Sequence, residues 1–142
     1  MSTADIFDTV LGDIPEPQYA PDGKYRALVT DVKVAENPKN GNRGRELAFR
    51  LLEPLSGQDV TGVNLAEERV RDTIWVTDKS SFIARETVQK MAPDITPATK
   101  LSEAFEQLRG REVVIHIKKV TTDRNGAALR FPRIQVAGYE AA

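Results

Sequence analysis

Alternation of apolar and polar residues runs through this chain and predicts a protein built mainly of strands. Residues 25–34 are β-rich, and their alternation slips near Leu28-Val29, as it does in a bulged or strongly curved strand. Over residues 46–52, Leu47, Phe49 and Leu51 share an inward face while Arg50 points outward. Residues 69–77 alternate again, with Val70, Asp72, Ile74 and Val76 on one face and Arg69, Arg71, Thr73, Trp75 and Thr77 on the other. Residues 112–120 set Val113, Ile115 and Ile117 against Val114, His116, Lys118 and Val120. A hairpin turn over 122–126 follows, because Asn125-Gly126 accepts the positive φ of a tight turn. Residues 127–136 return as the last strand, where Pro132 marks an edge or a bulge. Such an edge offers a second copy a place to pair.

The period changes to that of helices between the third and fourth strands. Ala84, Val88 and Met91 fall one above another, with Asp78, Ser80 or Ser81 available as a cap. Thr96-Pro97 reads as an N-cap followed by proline in a first turn. Leu101, Ala104, Phe105 and Leu108 then form an amphipathic stripe that Gly110 ends. The expected fold is mostly β with one or two helices. Its order, three strands, a helical connection and a two-stranded hairpin, is that of an OB-fold-like five-stranded barrel. Such a barrel binds its ligands on the second and third strands and on the loops after strands one and four.

Residues 1–22 differ from the rest. They carry five acids (Asp5, Asp8, Asp13, Glu16, Asp22), no Lys or Arg, and Pro15, Pro17 and Pro21. They form an acidic N-terminal arm ahead of a domain over 23–142, and Ile6, Phe7, Val10 and Leu11 predict a short amphipathic turn within it. The body holds all 20 cations and 16 of the 21 acids, a surplus of four that the overall charge of −1 conceals. A basic body with an acidic leader suits a protein that handles polyanions, although a solvated, random distribution gives the same sum. With 142 residues, 40% hydrophobic, the chain suffices for one soluble domain with a core. No apolar run reaches membrane-span length and no secretory signal is evident, so a cytoplasmic protein is expected. The absence of cysteine removes disulfides, thiolate catalysis and Cys-ligated zinc.

The loop Ala35-Glu-Asn-Pro-Lys-Asn-Gly-Asn-Arg-Gly-Arg45 carries three cations, two glycines and three asparagines. It has no use in a core but can wrap a polyanion, or simply be a solvated hairpin tip. A single-strand binder needs cations for phosphates and aromatic faces for bases. Lys39, Arg43 and Arg45 on the loop, with Arg50, Arg69 and Arg71 on the strands, can form one groove. Lys118, Lys119, Arg124, Arg130 and Arg133 would line its far side. Trp75 shares a face with arginines and threonines, which suits stacking; burial is the ordinary fate of tryptophan. Phe131 could stack as well, with core packing the plainer assignment; Tyr25, Phe49 and Phe105 belong to the core.

Further pieces are Gly23-Lys-Tyr-Arg-Ala-Leu-Val29, Glu46-Leu-Ala-Phe-Arg-Leu-Leu-Glu53, Leu108-Arg-Gly-Arg-Glu-Val-Val114 and the ending Val136-Ala-Gly-Tyr139. With the Asn/Gly-rich loop and the Asn125-Gly126 hairpin, the pattern resembles a family of small bacteriophage replication and recombination proteins, the OB-fold single-stranded-DNA-binding proteins. The resemblance covers most of residues 23–139. It implies sequence-independent binding of single-stranded DNA by phosphate contacts and base stacking, with no cofactor. By analogy the acidic arm would recruit replication or recombination proteins, although that family carries its acidic segment at the C-terminus. The alternative is a protein-interaction module or phage regulator that blocks a host protein, its acidic leader mimicking nucleic acid.

Enzyme chemistry has few parts to work with. His116 is the sole histidine, which leaves two-histidine metal sites and Ser-His chemistry incomplete. Glu67, Glu68 and Asp72 could gather around Mg²⁺ in a nuclease, but their spacing matches no nuclease signature. Gly41-Asn-Arg-Gly44 lacks the Gly-Lys-Ser/Thr ending of a phosphate-binding loop. The chain is expected not to be an enzyme.

Overall fold

The computed structural model describes residues 7–13 and 18–142. Five antiparallel strands, β1 (Gly23–Glu36), β2 (Arg43–Pro54), β3 (Val70–Val76), β4 (Glu112–Thr122) and β5 (Ala128–Ala141), form one sheet in the order β3-β2-β1-β4-β5. Two helices, α1 (Ser81–Met91) and α2 (Leu101–Leu108), connect β3 to β4. Among the described residues the protein is therefore mostly β, with these two helices between β3 and β4. The sheet is open: β3 and β5 are its two edges, and among the described residues no hydrogen-bonded ladder closes it into a barrel.

β1 is the central strand, and two irregularities in its pairing with β2 set the shape. Register shifts fall between Arg26 and Ala27 and between Val29 and Asp31, on either side of the slip seen in the alternation. Tyr25, Ala27 and Val29 face inward, then Val32, so the parity flips across the second bulge. β4 ends at Glu112, so beyond Leu28 the backbone of β1 has no strand partner on that side, and the turn after α2 supplies one. Gly110 N–H donates to Val29 C=O at 2.8 Å, and Val29 N–H donates to Arg111 C=O at 2.9 Å. The Arg109 guanidinium donates to the Asp31 carboxylate and, at 2.7 Å, to Val32 C=O. Arg109 holds the Asp31 carboxyl below its usual range.

The inner face of the sheet packs under the helices. Leu47, Phe49 and Leu51 of β2, Val70 and Ile74 of β3, and Val113, Ile115 and Ile117 of β4 are buried. Above them lie Ala84, Val88 and Met91 of α1 and Ala104, Phe105 and Leu108 of α2, the stripes their spacing foretold. Each large side chain among these contributes about 1.5–3 kcal/mol by leaving water. One expectation failed locally. Thr96 does not cap α2, which begins at Leu101 after Lys100. Residues 96–99 close a turn of their own, with Thr99 N–H on Thr96 C=O at 3.0 Å, and Pro97 suits the second position of such a turn. The hairpin tip also differs: Gly126 alone takes positive φ, and Asn125 does not. Asp123 accepts the N–H groups of Asn125 and Ala127, so a type I turn with a glycine bulge joins β4 to β5.

The arm expected over 1–22 is joined to the body at its end. Ala20 is buried and its N–H donates to Glu68 Oε1 at 3.0 Å. Tyr25 Oη donates to Pro21 C=O at 2.7 Å, and Lys119 N–H donates to Asp22 Oδ1 at 2.7 Å. Burial, then the Glu68 and Asp22 carboxylates, push the Tyr25 hydroxyl up to about 12. Of the expected amphipathic turn, Ile6 lies outside the described residues, while Phe7, Val10 and Leu11 are exposed.

The two sheet edges meet through side chains. Tyr139 of β5 donates its hydroxyl to Asp72 of β3 and sets its ring against Phe49, with 6.0 Å between centroids. Burial raises the Asp72 carboxyl, opposed by the hydrogen bonds from Tyr139 and Thr73, and Tyr139 is raised strongly by burial and by that carboxylate. Tyr139→Phe should cost about 1–3 kcal/mol at neutral pH, read by urea unfolding, because Asp72 loses a donor. Asp72→Asn keeps an acceptor and removes the charge, and should be at least as stable as the parent at neutral pH. A raised folded pKa means that the cost of the charge is complete above that pKa and vanishes below the unfolded one. The advantage of the Asp72→Asn variant should therefore disappear as pH falls toward about 4.

Candidate nucleic-acid interface

The face of β2 and β3 turned away from the core collects the charged and aromatic residues that the sequence singled out. On β3 the outward row is Arg71, Thr73 and Trp75, preceded by Arg69; on β2 it is Gly44, Glu46, Ala48 and Arg50. Arg50, Arg69 and Arg71 border one shallow concavity of about 520 Å³, floored by Thr30 and Ala48 and rimmed by Glu67 and Glu68. Trp75 lies on the same face with its side chain 38% exposed, so it is neither sealed in the core nor free of it.

Local sequence explains why this indole is open. Gly44 pairs directly across from Trp75, so β2 offers no side chain to cover the ring at that position. A Cβ at Gly44 would collide with the Ile74 carbonyl oxygen and lie 3.0 Å from Trp75 Cα. Close approach of two backbones, rather than an unusual φ, requires glycine here. The same end of β3 is held by Ser80, whose hydroxyl donates to Trp75 C=O at 2.9 Å and accepts Thr77 N–H at 2.9 Å. Ser80 precedes α1 but makes no side-chain cap bond to it.

Ion pairing sorts the cations into two groups. Arg26 is gripped by Glu53 at 2.8 Å and Glu112 at 2.9 Å, Lys24 by Glu140 at 3.0 Å, and Arg111 by Asp94 at 2.6 Å. Arg109 is held by Asp31 and by Glu106, and Lys33 lies 3.6 Å from Asp31. None of those was a candidate. Among the described residues, Lys39, Arg43, Arg45, Arg50, Arg69, Lys118, Arg124 and Arg130 have no carboxylate within 4.0 Å; of the candidate cations only Arg71 has one, Glu46 at 3.4 Å. Cations left unpaired on a surface rich in acids are available to an anionic ligand.

Not every candidate shares this face. Strand parity puts Arg43 and Arg45 on the side of Leu47, opposite Val76 and Ile74, so all six cations do not line one groove on β2 and β3. Arg45 donates to Gly44 C=O at 3.0 Å. Lys39 sits in the exposed turn after β1, where Asn37 N–H and C=O bond Asn42 C=O and Gly41 N–H at 2.8 Å. Lys118, Arg124, Arg130 and Phe131 belong to the β4–β5 hairpin, which extends beyond the start of β1, whereas the β1–β2 loop lies at its far end. Phe131 is not core: it is 65% exposed, with the Arg130 guanidinium 5.4 Å from its ring centroid. The register breaks there, since Val120 pairs with Arg133 and Thr122 with Ala128, and this break carries Pro132 on an edge strand.

His116 and the acids have local duties. His116 Nε2 lies 2.7 Å from Glu140 Oε2, and that contact, with Lys24, holds the Glu140 carboxyl below its usual range. Glu68 receives Ala20 N–H and Asp72 receives the Tyr139 hydroxyl. Among the described residues no three of His, Asp or Glu are grouped to hold a metal ion. Among the described residues no helix is long and apolar enough to cross a membrane. No protein-family model matches this chain, and no characterised protein matches it in sequence.

The sequence reading missed Gly44, Glu46 and Ser80, which shape the surroundings of Trp75 and Arg71. Only the pairing of β2 with β3 reveals the first two. Gly44→Ala should drive the strands apart and destabilise the fold by about 1–3 kcal/mol. A red or blue shift of Trp75 emission in the folded state should accompany it, measured beside chemical unfolding.

Proposed function

We propose that this protein binds single-stranded DNA without sequence preference, as a phage-type protein of replication or recombination, and is not an enzyme. One observation carries the reading: Arg50 and Arg69, free of any carboxylate among the described residues, share a face with Arg71 and a partly exposed Trp75. Cations would hold phosphates while the indole stacks on a base, the two components of sequence-tolerant single-strand binding. The resemblance to phage OB-fold proteins agrees with it. Support for an OB-like barrel comes from β3 and β5 facing each other through Asp72 and Tyr139. The β4–β5 hairpin, with Lys118, Arg124, Arg130 and Phe131, would take a longer strand at a second point.

A second reading, a protein-interaction module, has one observation in its favour. Phe7, Val10 and Leu11 are exposed beside Asp8 and Asp13, so the arm offers a partner an apolar, acidic segment. In the DNA-binding reading the same segment would recruit replication or recombination proteins.

Trp75 is the only tryptophan, so its fluorescence reports the site directly. An oligonucleotide should quench it at low salt and added salt should reverse the effect, with about 0.7 log units lost per phosphate contact per tenfold salt. Trp75→Ala should weaken binding by about 1–3 kcal/mol. Unchanged fluorescence together with no gel shift at low salt would end the reading. Deleting residues 1–17, which spares the buried Ala20 and its bond to Glu68, should raise DNA affinity if the arm competes for the site.

A further inference from the structure

We infer that the strand bound here lies lengthwise on β3, extended and unstacked, with Arg69 and Arg71 on successive phosphates and Trp75 beneath a base. This deepens the DNA-binding reading and rests on it.

The distribution of charge sets the direction. Next to β2 on the outer face stands β1, whose cations nearest Arg50 are already paired, Arg26 by Glu53 and Glu112 and Lys24 by Glu140; Lys33, further along, lies 3.6 Å from an Asp31 carboxylate that also holds Arg109. A polyanion crossing the strands would pass from Arg69 and Arg50 onto a surface with no charge to offer. One that follows β3 meets Arg69, Arg71 and Trp75 in turn. The short side chains between them, Thr73 on β3 and Gly44 and Ala48 on β2, leave that path unobstructed.

Spacing sets the form of the strand. Alternate residues of a strand recur about every 6.7 Å, so Arg69 and Arg71 are one such step apart and Trp75 lies two steps further. Counted at strand spacing, the row spans about 20 Å. A stacked duplex strand advances only about 3.4 Å per nucleotide and winds away from the row. Its bases also face their partners, out of reach of the indole. A single strand pulled straight steps at about twice that rise, keeps one phosphate per alternate residue, and can turn a base onto Trp75. Three steps fill the row, which defines a minimal site of about four nucleotides.

Glu46 is the built-in competitor. It holds Arg71 at 3.4 Å in an exposed pair, a long contact that a phosphate can replace. Arg50 stands beside Arg69 at the other end of the concavity with no carboxylate within 4.0 Å; Glu67 and Glu68 rim the same concavity, and a phosphate seated between the two arginines would relieve their repulsion.

The test is a titration of oligothymidylates from dinucleotide to octanucleotide, a long single strand and a blunt duplex, followed by Trp75 fluorescence at several salt concentrations. Quenching should reach full amplitude with the tetranucleotide, and the duplex should quench little. The double variant Arg69→Ala/Arg71→Ala should lower the salt slope for the long strand by about 1.4 while leaving its quench at saturation unchanged. Glu46→Gln should tighten binding about two- to fivefold, the worth of an exposed ion pair. Glu103→Gln on α2, which removes the same charge elsewhere, should not. Full quenching only with the octanucleotide, equal quenching by the duplex, or equal effects of the two glutamine variants would overturn the lengthwise register while single-strand binding stood. Failure of the long strand to bind at low salt would remove both this inference and the reading beneath it.

Discussion

The bulge in β1 is the constraint on which the rest of the molecule depends. β1 is the middle strand, paired on both sides, and it changes parity between Val29 and Asp31. That change keeps Val29 and Val32 both in the core and leaves Asp31 outside it. On the side of β1 where β4 has ended, the Val29 and Val32 backbone groups are taken up by Gly110, Arg111 and the Arg109 guanidinium, which fixes α2 over the sheet. A regular strand would keep its ladder bonds but turn Val32 to solvent. The apolar gain of burying Val32 favours the bulge.

Electrostatics then divide the surface. Cations near β1 and α2 are consumed by carboxylates and serve the fold, whereas Arg50, Arg69 and the hairpin cations are left unpaired among the described residues. Exposed pairs contribute little individually. Their effect here is that β1 keeps its outer-face cations paired while Arg50 and Arg69 beside it stay free, although Lys79, Arg85, Lys90 and Lys100 on the helical side also lack a carboxylate among the described residues. A near-neutral chain can present a cationic row in this way without a large net charge.

The open sheet matters for the same region. β3 is an edge strand, and edges are liable to pair with other chains. Here the edge is short, carries arginines, and is tied to β5 through Asp72 and Tyr139. The Asp72 carboxylate lies on the inward row of β3, directly behind the outward row of Arg71 and Trp75. The bond to Tyr139 therefore steadies the strand that carries the proposed contacts.

Much of this was legible from the residues alone. Alternation placed Leu47, Phe49 and Leu51 inward and Arg50 outward, the slip at Leu28-Val29 marked the bulge, and helical spacing named the buried faces of α1 and α2. These are local properties, since a side chain's direction follows from the period of its own element. The Thr96-Pro97 cap, the burial of Phe131 and a single groove through six cations were not legible, because each depends on residues distant in sequence. By itself the sequence determined which elements form and which faces are apolar. Only the tertiary structure decided which cations remain unpaired and what lies across from Trp75, because both are set by strand register, a relation between segments that no local pattern contains.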